Sequence, residues 1–200
     1  MRYSVIWEVS KLLRATLWEG FQSDAQITAE VPNLESIVLM NPADAAAKDD
    51  HPLSLWLYQV QQNEFLRNSQ PARIPGDDRH VQFSPLAINL FYLLTPNTDS
   101  DEADQLILGR SLQIFHDNAI LLLETQEEPK QRQELRVMMC HRDLRELAEV
   151  WEALQQPYRL SVCYEVRVPQ IDSLRRERGE RIGDRRLDFD DDTSRRGVTP

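Results

Sequence analysis

The sequence predicts an α+β domain, a mainly antiparallel sheet with helices on one face. Three observations predict it. Apolar residues near the N-terminus recur at helical spacing, several later stretches show strand-like alternation, and the patterns follow one another as helix, strands, helix, strand, helix, strand. Two hundred residues hold one full domain, with room for an extension.

From Ser4 to about Gly20, Val5, Val9, Leu12 and Leu13 recur every three or four residues, with Ser4 as a cap and Gly20 as a stop. Gln26 to Val31 alternates and is expected as a half-buried strand ended by Pro32. Ile37 to Met40 reads as a short strand before a loop with Pro42 and three alanines. Leu53 to Val60 is a strand whose Leu53, Leu55 and Leu57 oppose Trp56, Tyr58 and Val60; bulk on both faces marks a central position. Gln61 to Ser84 is polar, punctuated by Pro71, Pro75 and Gly76, and reads as a long loop of the kind that is either functional or disordered. Leu86 to Leu94 is the next strand, closed by Pro96.

Asp99 or Ser100 starts a second helix, with Leu108, Leu112 and Phe115 as its buried stripe and Asn118 as its stop. Leu135 to Cys140 is a short strand. It runs into a helix from Leu144 to about Leu154, where Asp143 and Glu146 have capping-box spacing. Arg159 to Val168 alternates, with Leu160, Val162, Tyr164, Val166 and Val168 expected to face a core and Arg159, Ser161, Glu165 and Arg167 to face away. The domain is placed at residues 1–171. Residues 172–200 form a charged tail that buries too little apolar surface to offset its ordering entropy and is expected to order only against a partner.

Net charge is −10, from 23 Lys and Arg against 33 Asp and Glu, which disfavours nucleic acid and anionic membranes as partners. No apolar run is long enough for a membrane-spanning helix, so no membrane insertion is expected. The N-terminus lacks a secretory signal pattern, which makes a cytoplasmic location the expectation. Two cysteines make no disulfide framework.

Candidate chemistry is sparse. Cys140, His141 and Asp143 are close in sequence, but strand alternation sends Cys140 and His141 to opposite faces, and Asp143 is spent as a cap. Cys163 has no His nearby and is read as inert. No glycine-rich phosphate loop or nucleophile turn is present, and Asp188 to Asp192 lacks the glycine of a calcium loop. No catalytic residue, cofactor or metal is therefore expected, and the chain is not expected to be an enzyme. The polar residues left over by core packing, Asn63, Glu64, Arg67, Asn68 and Arg73 in the long loop, form a candidate assembly interface. Arg175 and Arg176 at the head of the tail join it.

The segments LWLYQVQQNEFLRN (55–68), PLAINLFYLLTP (85–96), LGRSLQIFHDNAIL (108–121) and WEALQQPYRLSVCYEVRV (151–168) occur in an order and spacing that carry a resemblance. Together they resemble the N-terminal domain of the tube-terminator or cap proteins of extracellular contractile injection systems, which are phage-tail-like particles. That resemblance implies a tail-terminator-like fold and a structural role without catalysis. It also implies a hexameric ring of identical subunits on the end of the inner tube, with the tube protein and the sheath protein as partners. Two other readings stand beside it: an adaptor that recruits cargo or anchors the particle, and a cysteine-dependent or metal-assisted enzyme.

Overall fold

A computed structural model describes residues 3–48, 50–66, 72–74, 77–124 and 132–178. Helix α1 (Val5–Phe21) buries Val5, Val9 and Leu13 of the expected stripe, leaves Leu12 partly buried, and adds Leu17 and Phe21. Ser4 precedes it but makes no side-chain cap, because its backbone is already helical and its hydroxyl is not aimed at the free amides. Gly20 lies inside the helix rather than after it. A Cβ there would sit 2.5 Å from Cδ1 and Cγ1 of Ile114, so the missing side chain lets two helices approach. The last turn of α1 is held from outside. Arg110 donates from Nη2 to the Gly20 carbonyl at 3.0 Å and to Ser23 Oγ at 2.6 Å.

The strand expected at Gln26–Val31 is a helix, α2 (Ala25–Glu30). Asp24 decides this: its carboxylate accepts from the amides of Gln26 and Ile27, which commits the chain to a turn. Ile27 and Val31, both buried, are then four residues apart on one helical side. The expected strand at Ile37–Met40 shrinks to β1 (Ile37–Val38), and the loop after it contains α3 (Pro42–Ala46), capped by Asn41, which accepts from the Asp44 amide at 2.8 Å.

The main sheet adds β2 (Leu53–Gln62), β5 (Leu86–Pro96), β6 (Ile120–Glu124), β7 (Arg132–Met139) and β8 (Val162–Ile171), between which run a hairpin of β3 (Ala72–Ile74) and β4 (Asp77–Gln82) and helices α4 (Asp101–Asp117) and α5 (Leu144–Ala153). Its order is β1-β2-β5-β8-β7-β6. The β1–β2 pair is parallel and the others are antiparallel, so the sheet is mixed. Strand β6 was not anticipated; its run of isoleucine and leucines carries no period that separates strand from helix.

α1 and α4 cover one face. Tyr92 on β5 reaches Ser10 on α1, hydroxyl to hydroxyl at 2.8 Å, and the Ser10 hydroxyl donates to the Ile6 carbonyl at 3.1 Å. Burial pushes the Tyr92 phenol up to about 12, so it is a neutral donor. Phe115 of α4 meets Tyr164 of β8 edge to face, with centroids 4.8 Å apart. α4 has the expected Ser100 cap and the expected Asn118 end, and α5 has the complete Asp143–Glu146 capping box.

β8 starts three residues later than its alternation predicts. Leu160 is therefore exposed, and Ser161, expected outside, is buried, where its hydroxyl accepts the Trp151 indole N–H at 3.1 Å. A bulge between Leu57 and Gln59 sets Val60 opposite Leu90, returning it from the expected face to that of Leu90. Among the described residues no helix is long and apolar enough to cross a membrane.

Candidate assembly surface

The stretch expected as a loop, Gln61–Ser84, contains regular structure. β2 runs on to Gln62, and the chain then turns through a 3-10 segment (Glu64–Leu66) toward β3 and β4. Asn63 makes that turn. Its Oδ1 accepts from the amides of Phe65 and Leu66 at 3.0 and 3.3 Å, and its own N–H donates to the Ala87 carbonyl at 2.9 Å. Its Nδ2 donates to Asn89 Oδ1 at 3.0 Å, Asn89 donates to Glu165 at 2.8 Å, and Glu165 accepts two bonds from Arg167 at 2.9 and 3.0 Å. A polar relay thus runs from the end of β2 across the first residues of β5 to the interior of β8, on the face away from α1 and α4. Buried amides require such partners.

The predicted interface residues are distributed as follows. Asn63 is only 7% exposed, and its amide is spent within the chain. Glu64 is exposed on the turn that Asn63 sets up. Arg67 and Asn68 lie outside the described residues. Arg73 belongs to β3, opposite Val81. Past Ile171, Arg175 lays its guanidinium over the Phe83 ring at 4.4 Å, and its carbonyl accepts from the Phe83 amide at 3.3 Å. Arg176 opens β9 (Arg176–Arg178), which pairs with β4 through Gln82, Val81 and His80. The structure therefore brings the loop and the head of the tail, more than ninety residues apart, into one three-stranded sheet ordered β3-β4-β9. Residues 179–200 lie outside the described residues.

At this end of the main sheet, where β2 and β8 finish and β5 begins, large apolar side chains face solvent. Phe65 is 94% exposed and Leu174 98%, with Val60 and Leu86 half-exposed nearby in the topology. Scattered apolar residues are ordinary, but a set at one end of a sheet beside an aromatic–arginine stack makes this end a candidate contact surface. A second surface lies along β6, an edge of the sheet. Ile120 and Leu122 are each 59% exposed, while Leu121 and Leu123 turn to the core. An edge strand with outward apolar residues, whose outer backbone groups meet no partner strand among the described residues, is suited to contact with another chain. Sequence reading missed this patch because it missed β6.

At the opposite end, an open cleft of about 810 Å³ is lined by Asn33, His51, Asn97, Asp99 and Arg159, among others. Among the described residues no group of three or more His, Cys, Asp or Glu side chains converges to hold a metal ion. Replacing Asn63 by alanine is expected to cost about 1–3 kcal/mol, since it strands the Asn89 amide and two turn amides together. Urea denaturation of Asn63→Ala against the parent measures it, and an unchanged midpoint would show that water replaces the relay without loss.

A family model described as the Pvc16 N-terminal domain matches residues 8–183. Among solved structures, the sheath/tube terminator of an extracellular contractile injection system, PVC, in its extended state, superposes with a TM-score of 0.61 at 17% identity. That match covers 94% of this chain and 64% of the other, so the chain spans less than two thirds of that protein's length. The tube terminating cap of the anti-feeding prophage aligns at 20% identity with a TM-score of 0.47, covering 68% of this chain and 48% of the other. No curated protein matches the sequence.

Proposed function

Since the chain belongs to the Pvc16 N-terminal domain family, we propose that it is a structural cap that closes the inner tube and sheath of a contractile injection system. In this reading it makes and breaks no bonds. Six copies form a ring on the last layer of tube protein, halt tube growth and tie the terminal sheath ring to the tube. The subunits are made and assembled in the cytoplasm and become part of a phage-tail-like particle.

The observation that carries the reading is the family match across 8–183, and the fold likeness to a sheath/tube terminator supports it. The surface also suits a ring. A closed cyclic assembly joins one patch on each subunit to a different patch on the next. The β6 edge and the three-stranded sheet are two such patches, built from different chemistry. The residues of the tail beyond β9 are proposed to reach the sheath, where alternating charges can pair.

Producing the particle with and without this chain tests the reading. Electron microscopy is expected to show tubes of uncontrolled length and detached sheaths when the chain is omitted, and a label on it at one extremity when it is present. Particles of normal length with finished ends in its absence would overturn the proposal.

A further inference from the structure

The two cysteines, 23 positions apart in sequence, stand opposite each other in the sheet. Register pairs Met139 with Tyr164 at the end of β7, and the next step sets Cys140 against Cys163. The Cys140 amide donates to the Cys163 carbonyl at 2.8 Å, which fixes that register. Directly opposed residues of a hydrogen-bonded antiparallel pair have Cα atoms about 5.5 Å apart, inside the range a disulfide spans. Their side chains share the face away from α1 and α4, and each thiol lies close enough to perturb the titration of the other. Cys140 follows the last residue of its strand and is partly exposed, so one partner has the backbone freedom to close the bond; Cys163 beside it is 2% exposed.

The surroundings divide the pair into an attacking and a resolving thiol. Cys163 has the Cys140 thiol beside it and the Tyr58 hydroxyl of β2 at 3.0 Å from its Sγ, and lies in the field of Arg142. Arg142 is held by Glu146 of α5 at 2.6 Å and sits over the Phe91 ring at 5.8 Å. Glu165, next but one along β8, is the acidic neighbour on this face. The Cys140 thiol, the Tyr58 hydroxyl and the guanidinium outweigh burial and hold Cys163 down at about 7, whereas Cys163 beside it, burial and the nearby negative charge push Cys140 well up.

We propose that Cys140 and Cys163 form a reversible cross-strand disulfide, closed by hydrogen peroxide and reopened by a thiol reductant. The Cys163 thiolate attacks the peroxide, the O–O bond breaks, and hydroxide leaves, to be protonated to water, with a sulfenic acid left on Cys163. The Cys140 sulfur then attacks that sulfur and gives up its proton. The S–O bond breaks and the departing hydroxide takes the proton as a second water. Two thiols lose two electrons and two protons, and one peroxide becomes two waters. The closed bond clamps β7 to β8 around α5, securing the β6–β7 side of the sheet. Only the occasion for closure rests on the function proposed above: a particle passing from a reducing to an oxidising compartment would meet it on the way.

The test uses the full reduced chain, treated with hydrogen peroxide and read by intact mass under non-reducing conditions. The expected product is a monomer two hydrogens lighter, with both free thiols gone and restored by dithiothreitol. Its rate should rise through about pH 7, rather than through the value near 8.5 of an ordinary thiol, and Tyr58→Phe should move that midpoint upward. Cys140→Ser should leave a sulfenic acid on Cys163 that dimedone traps. Two persistent thiols, a disulfide-linked dimer, or oxidation confined to Cys140 would each overturn the proposal. The wild-type mass decides the matter even if a variant fails to fold. None of these readings involves tube or sheath, so failure here leaves the capping role standing.

Discussion

Phe115→Ala is expected to remove about 3–5 kcal/mol of folding stability, the largest loss expected of any single substitution considered. Phe115 is fully enclosed and joins two layers: it projects from α4, meets Tyr164 of β8 edge to face, and lies one residue from Ile114, which fills the space left by Gly20. Truncation discards the transfer energy of the ring, the aromatic contact and the packing of a helix whose partners are set on both sides. Phe115→Leu, which keeps most of the volume, should lose much less. Since a domain of this size has only about 5–15 kcal/mol in hand, the alanine variant should sit near the edge of folding at 37 °C. Urea denaturation with linear extrapolation measures it. A loss under about 1 kcal/mol would mean that α4 does not seal this face.

The second large effect concerns assembly. Phe65→Asp combined with Leu174→Asp is expected to abolish attachment to the particle while leaving the subunit folded. Both side chains are almost fully exposed, so their replacement should shift stability by no more than about 0.5 kcal/mol. At an interface a central aromatic anchor contributes at least about 2 kcal/mol, so losing it weakens association by roughly 30-fold, and a charge stranded in the contact weakens it further. Circular dichroism and Tm check the fold; sedimentation and imaging of particle ends check assembly. Normal capping by the double variant would move the contact to another surface, with the β6 edge at Ile120 and Leu122 the next to test.

The errors of the sequence reading have local physical causes. In QITAEV, six residues fit a strand or one and a half helical turns equally well, and an acceptor just outside the window, Asp24, tips the balance. In Ile120–Leu123 uniform apolarity erases the period on which strand detection depends. Ser161 alternates as an outward residue, yet the strand begins after it and the Trp151 indole draws it inward. The interface residues divide along the same line. Polarity marked Asn63 as surface, whereas burial gave it a turn to hold, and the exposed Phe65 beside it carried no polar signal at all.

By itself the sequence determined the α+β class, α1 and α4 with their buried stripes, the Asp143–Glu146 cap, strands β2, β5 and β8, and the resemblance to tube-terminator proteins. All of these depend on neighbours within a few turns or on short motifs in order, where side-chain period and capping chemistry act directly. Tertiary structure alone decided that the long loop and the head of the tail join in one sheet, that β6 forms an edge, and that Cys140 faces Cys163. Each of those outcomes depends on strand register between distant segments, which a one-residue slip would reverse and no local pattern encodes.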